Sequence, residues 1–396
     1  MDLPPVTIPA SNDRPLWDVF CHVVDNLGDV GVCWRLANNL ATRGQRVRLW
    51  IDQPEPLRWM APGAIEGGCP GIDVIPWTTP LPAGVCESLE PAQVWVETFG
   101  CHPPAEAQLA LAAQLGKGVT PPVWINLEYL SAEPYVERSH GLPSPVMSGP
   151  LKGLGKWFFF PGFTAATGGL LREPDIETRR EAFNASAWRD RMQIPLHALA
   201  VSLFCYEPQA LETALTQSGL QRPTVKWLIT PGHAAAAVQH LRARNATAPW
   251  VTGERMLSLP LQSQAGFDEM LWACDLNFVR GEDSLVRALW AGNPFVWQLY
   301  PQEDGAHLIK LEAFLGWLQA PDSLRLFHLA WNGAAPAESL VWPDTARLAE
   351  WRVTVESARK RLLALASLSD QLLEFVKQAV PRLDRTDPFA GSHSSR

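Results

Sequence analysis

Residues 17–52 run from an apolar stretch through a tight turn and an amphipathic stretch into a second apolar stretch, and that order commits the chain to a parallel sheet. Trp17–Val24 (WDVFCHVV) is apolar and β-branched and reads as a strand. Asp25-Asn26-Leu27-Gly28 is the turn. A helix is expected from about Asp29 to Arg43, with Val32, Cys33, Leu36, Ala37 and Leu40 at helical spacing and Gly44 as its stop. Val47–Ile51 is the next strand, closed by Asp52. Strands joined through a helix lie side by side and parallel, because parallel neighbours need a crossover of that length.

The order recurs. Val94–Glu97, Trp124–Leu127 and Trp157–Phe160 read as further strands, and 105–115 (AEAQLALAAQL) as a helix. Residues 141–175 are rich in Pro and Gly and read as long loops, which mark a domain boundary or the wall of a site. A polar helix is expected over Ile176–Arg191. Beyond it, strands fit Ala198–Phe204, Val225–Thr230, Met256–Leu259, Leu276–Val279 and Phe295–Gln298. The intervening helices fit Gln209–Ser218, Ala234–Arg242, Phe267–Cys274 and Ser284–Ala291. From Asp344 the pattern is helical to about Val380. The expected architecture is α/β: two facing doubly wound domains, 1–185 and 186–358, with a helix at about 360–382 returning to the first and a polar, mobile tail at 383–396. Ligands of such sheets bind beyond the carboxyl ends of the strands.

Charge and cysteine usage narrow the partners. The formal net charge is −8, which disfavours nucleic acid and suits a basic protein surface. The seven cysteines (Cys21, Cys33, Cys69, Cys86, Cys101, Cys205, Cys274) are odd in number and include no C-x-x-C pair, so they read as reduced, mostly buried thiols rather than a disulfide framework or zinc site. The first sixteen residues lack the pattern of a signal peptide, and no apolar run is long enough to span a bilayer. A cytoplasmic protein with no membrane contact is the expectation. Eighteen tryptophans are a large aromatic load.

Two turns after strands carry chemistry. In Asp25–Gly31 (DNLGDVG) two carboxylates share a glycine-containing turn. The spacing of Gly28 and Gly31 fails the G-x-G-x-x-G dinucleotide fingerprint, Asp29 would oppose a pyrophosphate, and Asp52 resembles a ribose-binding acid only loosely. A purely structural account makes Asp29 an N-cap and Asp25 a turn residue. A functional one makes them carboxylates at a cleft, suited to a cationic or hydroxyl nucleophile. In Arg280–Ser284 (RGEDS), a helix N-terminus, Gly281, the Ser284 hydroxyl and the Arg280 cation would suit a diphosphate, while Glu282 faces a sugar or nucleophile. The structural alternative is that Asp283 or Ser284 simply caps the helix. Facing domains with acids on one loop and this turn on the other suggest a nucleotide-sugar glycosyltransferase.

Asp25–Arg35 (DNLGDVGVCWR), Trp124–Glu133 (WINLEYLSAE), Trp157–Glu173 (WFFFPGFTAATGGLLRE), Asp275–Ser284 (DLNFVRGEDS) and Ala291–Gln302 (AGNPFVWQLYPQ) closely resemble the protein-arginine rhamnosyltransferases that modify bacterial elongation factor P. The likeness covers about Trp17 to Val380. It implies a GT-B fold, with the acceptor protein on the first domain and the nucleotide sugar on the second. It implies transfer of L-rhamnose from TDP-β-L-rhamnose to an arginine of elongation factor P, with inversion, and neither metal nor cofactor. By position, Asp29 would be the general base, Asp25 its neighbour and Glu282 the second catalytic carboxylate. Asn26, Leu27 and Gly28 would border the donor, with Arg280, Gly281, Asp283 and Ser284 at its diphosphate. Phe204 and Tyr206 would contact the nucleotide, and Gln264 and Phe267 would hold and stack the thymine. Leu259 and Leu261 flank Pro260 where relatives often carry an aromatic, so base packing there is expected to be less aromatic. Two readings from other classes are a noncatalytic module that binds a translation factor and a nicotinamide-dependent oxidoreductase.

Overall fold

The computed structural model describes residues 14–383 apart from 25–26, 83, 222–223, 249, 252–254 and 303. The first half holds strands β1 (Leu16–Cys21), β2 (Arg46–Ile51), β3 (Ile72–Pro76), β4 (Val94–Thr98), β5 (Val123–Leu127), β6 (Pro143–Pro145) and β7 (Gly155–Phe159). They form one sheet in the order β3-β2-β1-β4-β5-β7-β6, parallel except for the antiparallel edge strand β6. The second half holds β8 (Leu199–Leu203), β9 (Val225–Ile229), β10 (Met256–Ser258), β11 (Leu276–Arg280) and β12 (Phe295–Gln298), all parallel, in the order β10-β9-β8-β11-β12. Among the parallel strands each order reverses once, between β1 and β4 and between β8 and β11. Those reversals open the crevices in which such sheets bind ligands.

The central strands are apolar on both faces because helices cover both; β1, β4 and β5 are buried throughout. Asp18 in β1 stands opposite Arg48 in β2. Two bonds of 2.6 and 2.7 Å join them, and Trp50 Nε1 donates to Asp18 Oδ1 at 2.9 Å, so the buried charges are paired and hydrogen-bonded. Trp17, Trp50, Trp227, Trp250, Trp290, Trp297, Trp331 and Trp351 are fully buried, so much of the tryptophan load is core. All seven cysteines are unpaired, and only Cys69 is not buried.

Several boundaries differ from the sequence reading. β1 stops at Cys21 rather than Val24 because side chains take over its N–H groups: Val23 donates to Asp52 Oδ1 and Val24 to Asp29 Oδ2, both at 2.9 Å. Asp52 also meets His22 Nδ1 at 2.7 Å, so it braces this loop. The expected helix at 176–191 is two, Ile176–Ala182 and Ala185–Arg191, with Asn184 accepting from the Ala187 N–H to start the second. The expected return helix at 360–382 is also divided. Thr345–Leu363 packs on the second half through Trp351, Val355 and Ala358, while Leu368–Leu383 packs on the first through Leu372 and Val376. Arg172 donates to the carbonyls of Leu363 and Leu365, and Ser367 Oγ accepts from the Asp370 N–H, ending one helix and opening the next. Strands β3 and β6 and the helices Ala306–Leu318 and Asp322–Trp331 are absent from the sequence reading. The tail from 384 onward lies outside the described residues.

His328, wholly buried, accepts from the Trp297 N–H through Nε2 and donates from Nδ1 to the Leu324 carbonyl, both at 3.0 Å. Burial holds its pKa down to about 4. The unfolded chain takes up that proton near pH 6.5 and the folded one does not, so stability falls as pH drops from about 6.5 toward 4, by roughly 3 kcal/mol from this residue. Urea midpoints of wild type and His328→Gln across that window check it; parallel pH profiles would contradict it.

Candidate active site

The helix Gly28–Thr42 leaves the carboxyl end of β1, and the helix Gly281–Ala291 leaves that of β11. They face each other across the two halves: Gln264 Nε2 donates to the Gly31 carbonyl at 2.9 Å, and Arg35 Nε lies 3.0 Å from Asp283 Oδ1. Between the halves lies an open cleft. Leu27 and Gly28 line it from the first half. Phe204, Gln264, Phe267, Arg280, Asp283 and Ser284 line it from the second. Asp25 and Asn26 lie outside the described residues.

Arg280 ends β11 and is only 6% exposed. Its guanidinium carbon lies 4.7 Å from the Phe204 ring centre and 4.3 Å from that of Tyr206, two cation–π contacts. Tyr206 is braced by its own N–H, which donates to Gln298 Oε1 at 2.9 Å. Arg280 Nη1 is buried without a hydrogen-bond partner among the described residues. Gly281 follows with φ at 68°, a conformation that strains any side-chain-bearing residue. Trp297 Nε1 donates to the Gly281 carbonyl at 2.7 Å and fixes the turn. The first-turn N–H groups of Glu282 and Asp283 have no acceptor within the helix. A buried cation beside a helix N-terminus is a receptor for an anion.

Three side chains differ from their expected tasks. Ser284 Oγ donates to the Arg280 carbonyl and accepts from the Arg280 N–H, so its hydroxyl proton serves the turn rather than the cleft. The Asp283 carboxylate is held by Arg35, where burial pushes its pKa up against the pull of Arg35 and Arg287. Gln264 Nε2 donates one N–H to the Gly31 carbonyl, and its side chain still borders the cleft. Phe267 meets Phe204 edge-on at 5.4 Å, and Leu261 and Pro260 form the adjoining wall. Trp59, which the sequence reading passed over, lines the cleft from the first half and adds an aromatic there.

Asp29 lies in the first turn of its helix, not at the cap; Leu27 holds that position. Asp29 is 6% exposed, and its carboxylate accepts from the Val24 N–H at 2.9 Å. Glu282 Oε2 accepts from the Leu130 N–H at 2.8 Å, and Oε1 meets Lys310 Nζ at 2.5 Å. Tyr129 lies within electrostatic range of both carboxylates: burial, then the charges of Asp29, Glu282 and Glu128, push its pKa up to about 12. It is therefore a neutral phenol at neutral pH, able to donate. Its ring stacks on Phe99 at 5.0 Å and lies 5.8 Å from Lys310 Nζ. Tyr129 stands two residues past the end of β5, the position in a parallel sheet where ligand-contacting residues collect, so the sequence carried a signal for it. Lys310 lies in a helix the sequence reading missed, and nothing marked it. Among the described residues no three His, Cys, Asp or Glu side chains are grouped as metal ligands. No helix among them is long and apolar enough to cross a membrane.

The model of the family described as elongation factor P (EF-P) rhamnosyltransferase EarP matches residues 17–377. The protein-arginine rhamnosyltransferase of Pseudomonas putida is 44% identical over 329 residues, 76% of this chain and 81% of that protein. That of Pseudomonas aeruginosa is 39% identical over 366 residues, 85% and 92% of the two chains. A solved structure described as the structural basis for EarP-mediated arginine glycosylation of translation elongation factor EF-P superposes with a TM-score of 0.59 at 27% identity, covering 92% of this chain and all of the other. A Rickettsia africae glycosyltransferase shares the fold at a TM-score of 0.51 and 8% identity, covering 93% of this chain and 99% of that one. With a GT-B architecture and near full-length agreement with these proteins, the chain belongs to the EarP family and is a protein-arginine rhamnosyltransferase.

Proposed function

We propose that this enzyme transfers L-rhamnose from TDP-β-L-rhamnose to an arginine side chain of translation elongation factor P, with inversion at the anomeric carbon. Membership of an enzyme family leaves no place for a noncatalytic module or a nicotinamide-dependent oxidoreductase. The acceptor is the one acted on by the EarP structure that superposes here. A net charge of −8 suits a basic arginine-bearing segment, and the reaction belongs in the cytoplasm, where a translation factor works.

The observation that carries the donor assignment is the buried Arg280 guanidinium, which borders the cleft with Nη1 unpartnered. The diphosphate takes that nitrogen and the first-turn N–H groups of Glu282 and Asp283, and the base rests among Phe267, Leu261 and Trp59. In the reaction the bond from the anomeric carbon to the diphosphate oxygen breaks and TDP departs with the electron pair. A guanidinium nitrogen forms the new bond from the opposite face, and its proton passes to Asp29. Glu282 holds the guanidinium by charge. The leaving charge is met by Arg280 and main-chain N–H groups, so the scheme calls on no metal and no further cofactor.

Arg280→Met keeps an apolar stem on Phe204 and removes the charge. A charge-assisted contact of this kind contributes roughly 1.5–3 kcal/mol, so TDP should bind about 10- to 100-fold more weakly by calorimetry. Unchanged affinity would remove the diphosphate from Arg280. Mass spectrometry of elongation factor P after incubation with TDP-rhamnose tests donor and acceptor together; an unmodified factor would overturn both.

A further inference from the structure

A second buried arginine borders the same cleft and is arranged in the opposite way. Arg35, 5% exposed, sits on the helix Gly28–Thr42, the helix that carries Asp29. Every nitrogen of its guanidinium faces a carboxylate from elsewhere in the chain. Nε lies 3.0 Å from Asp283 Oδ1, Nη1 3.2 Å from Glu173 Oε1 and Nη2 3.2 Å from Asp268 Oδ1. Arg287, one turn beyond Asp283, completes the cluster with Glu173 at 2.6 Å and Asp268 at 2.8 Å. Burial alone would raise the Glu173 carboxyl, but Arg287 and Arg35 hold it down at about 2, so it stays ionised at neutral pH. Gly31 allows the two helices this approach: a Cβ there would stand 3.1 Å from Asp283 Oδ2.

We infer that Arg35 is a positioning residue for rhamnosyl transfer. It docks the helix of Asp29 onto the helix of Glu282 through Asp283, and so fixes the distance between base and donor without binding the donor itself. The contrast with Arg280 carries the inference: one arginine keeps a nitrogen unpartnered at the cleft, while the other spends all three on carboxylates. The inference rests on the donor site proposed above. Asp283 then serves as the anchor of Arg35 rather than as a diphosphate ligand.

The test uses the full chain with TDP as the binding probe and elongation factor P as acceptor, comparing Arg35→Lys, Asp283→Asn and the double variant. Buried charges that act as one unit couple strongly, so each single change should lower kcat at least about 10-fold, with the double within about 2-fold of the worse single. TDP should bind every variant with a Kd within about 2-fold of wild type and one site per chain. A loss of TDP affinity in step with kcat would make Arg35 a direct ligand and overturn the inference; so would an unchanged kcat or additive losses. Asp283→Asn leaves Arg35 paired with Glu173 and Asp268, so it strands no cation. If Arg35→Lys does not fold, Asp283→Asn decides by the same Kd and kcat criteria. Absence of transfer by wild type would instead overturn the donor and acceptor assignment.

Discussion

Asp29→Asn is expected to lower rhamnosyl transfer about 10³-fold while leaving TDP affinity unchanged. The substitution keeps the contact that ends β1. The Asp29 carboxylate accepts the Val24 N–H at 2.9 Å, and an asparagine oxygen can accept the same bond, so the loop that ends β1 stays in place. What is lost is the site for a proton. An arginine guanidinium has a pKa above about 12, so no carboxylate deprotonates it in the ground state. The acidity rises as the new carbon–nitrogen bond forms, and a buried carboxylate can take the proton at that moment, which is where general-base catalysis acts. The cleft is lined by Leu27 and Gly28 rather than by Asp29, so the donor should not register the change. Single-turnover mass spectrometry of the acceptor, with calorimetry of TDP on the same preparation, separates the two effects. Near-native turnover would take Asp29 out of the mechanism, and parallel loss of donor affinity would make it a donor ligand.

Local pattern exposed the frame, and long-range contact decided what the frame does. The βαβ unit at 17–52 was legible because apolar period and turn chemistry agree over a short span. β3 (IDVIP) was not, since its burial alternates weakly and Pro76 ends it. The break at 364–367 had a signal, Ser367 three residues before Asp370, but it is overshadowed by the helical residues on either side. At the site, acids and glycines stood out as residue types, so Asp29, Arg280 and Gly281 were singled out. Their partners were not. Lys310 reaches Glu282 across 28 positions and Arg35 reaches Asp283 across 248, and no periodicity in one sequence encodes such pairs. Ser284 shows the converse: a hydroxyl at a helix start suggests an anion donor, yet Arg280, four residues back, claims it.

Glu282→Gln is the second large effect, and it should fall on the acceptor. Glu282 lies outside the lining of the donor cleft and turns instead toward Tyr129, Leu130 and Lys310. Glutamine keeps an oxygen for the Leu130 N–H, so the loop after β5 retains its tether. The carboxylate charge, however, is gone. A guanidinium entering between Asp29 and Glu282 then loses one of its two charge-assisted partners, each contributing roughly 1.5–3 kcal/mol, and kcat/KM for elongation factor P should fall about 10- to 100-fold. The loss should appear mainly in KM, because charge pairing with the acceptor is already made before the bond forms. That separates Glu282 from Asp29, whose replacement acts on kcat. If Glu282→Gln instead lowers kcat at constant KM, the guanidinium is held by other groups and Glu282 acts only in the transition state; if TDP affinity drops, the carboxylate belongs to the donor site.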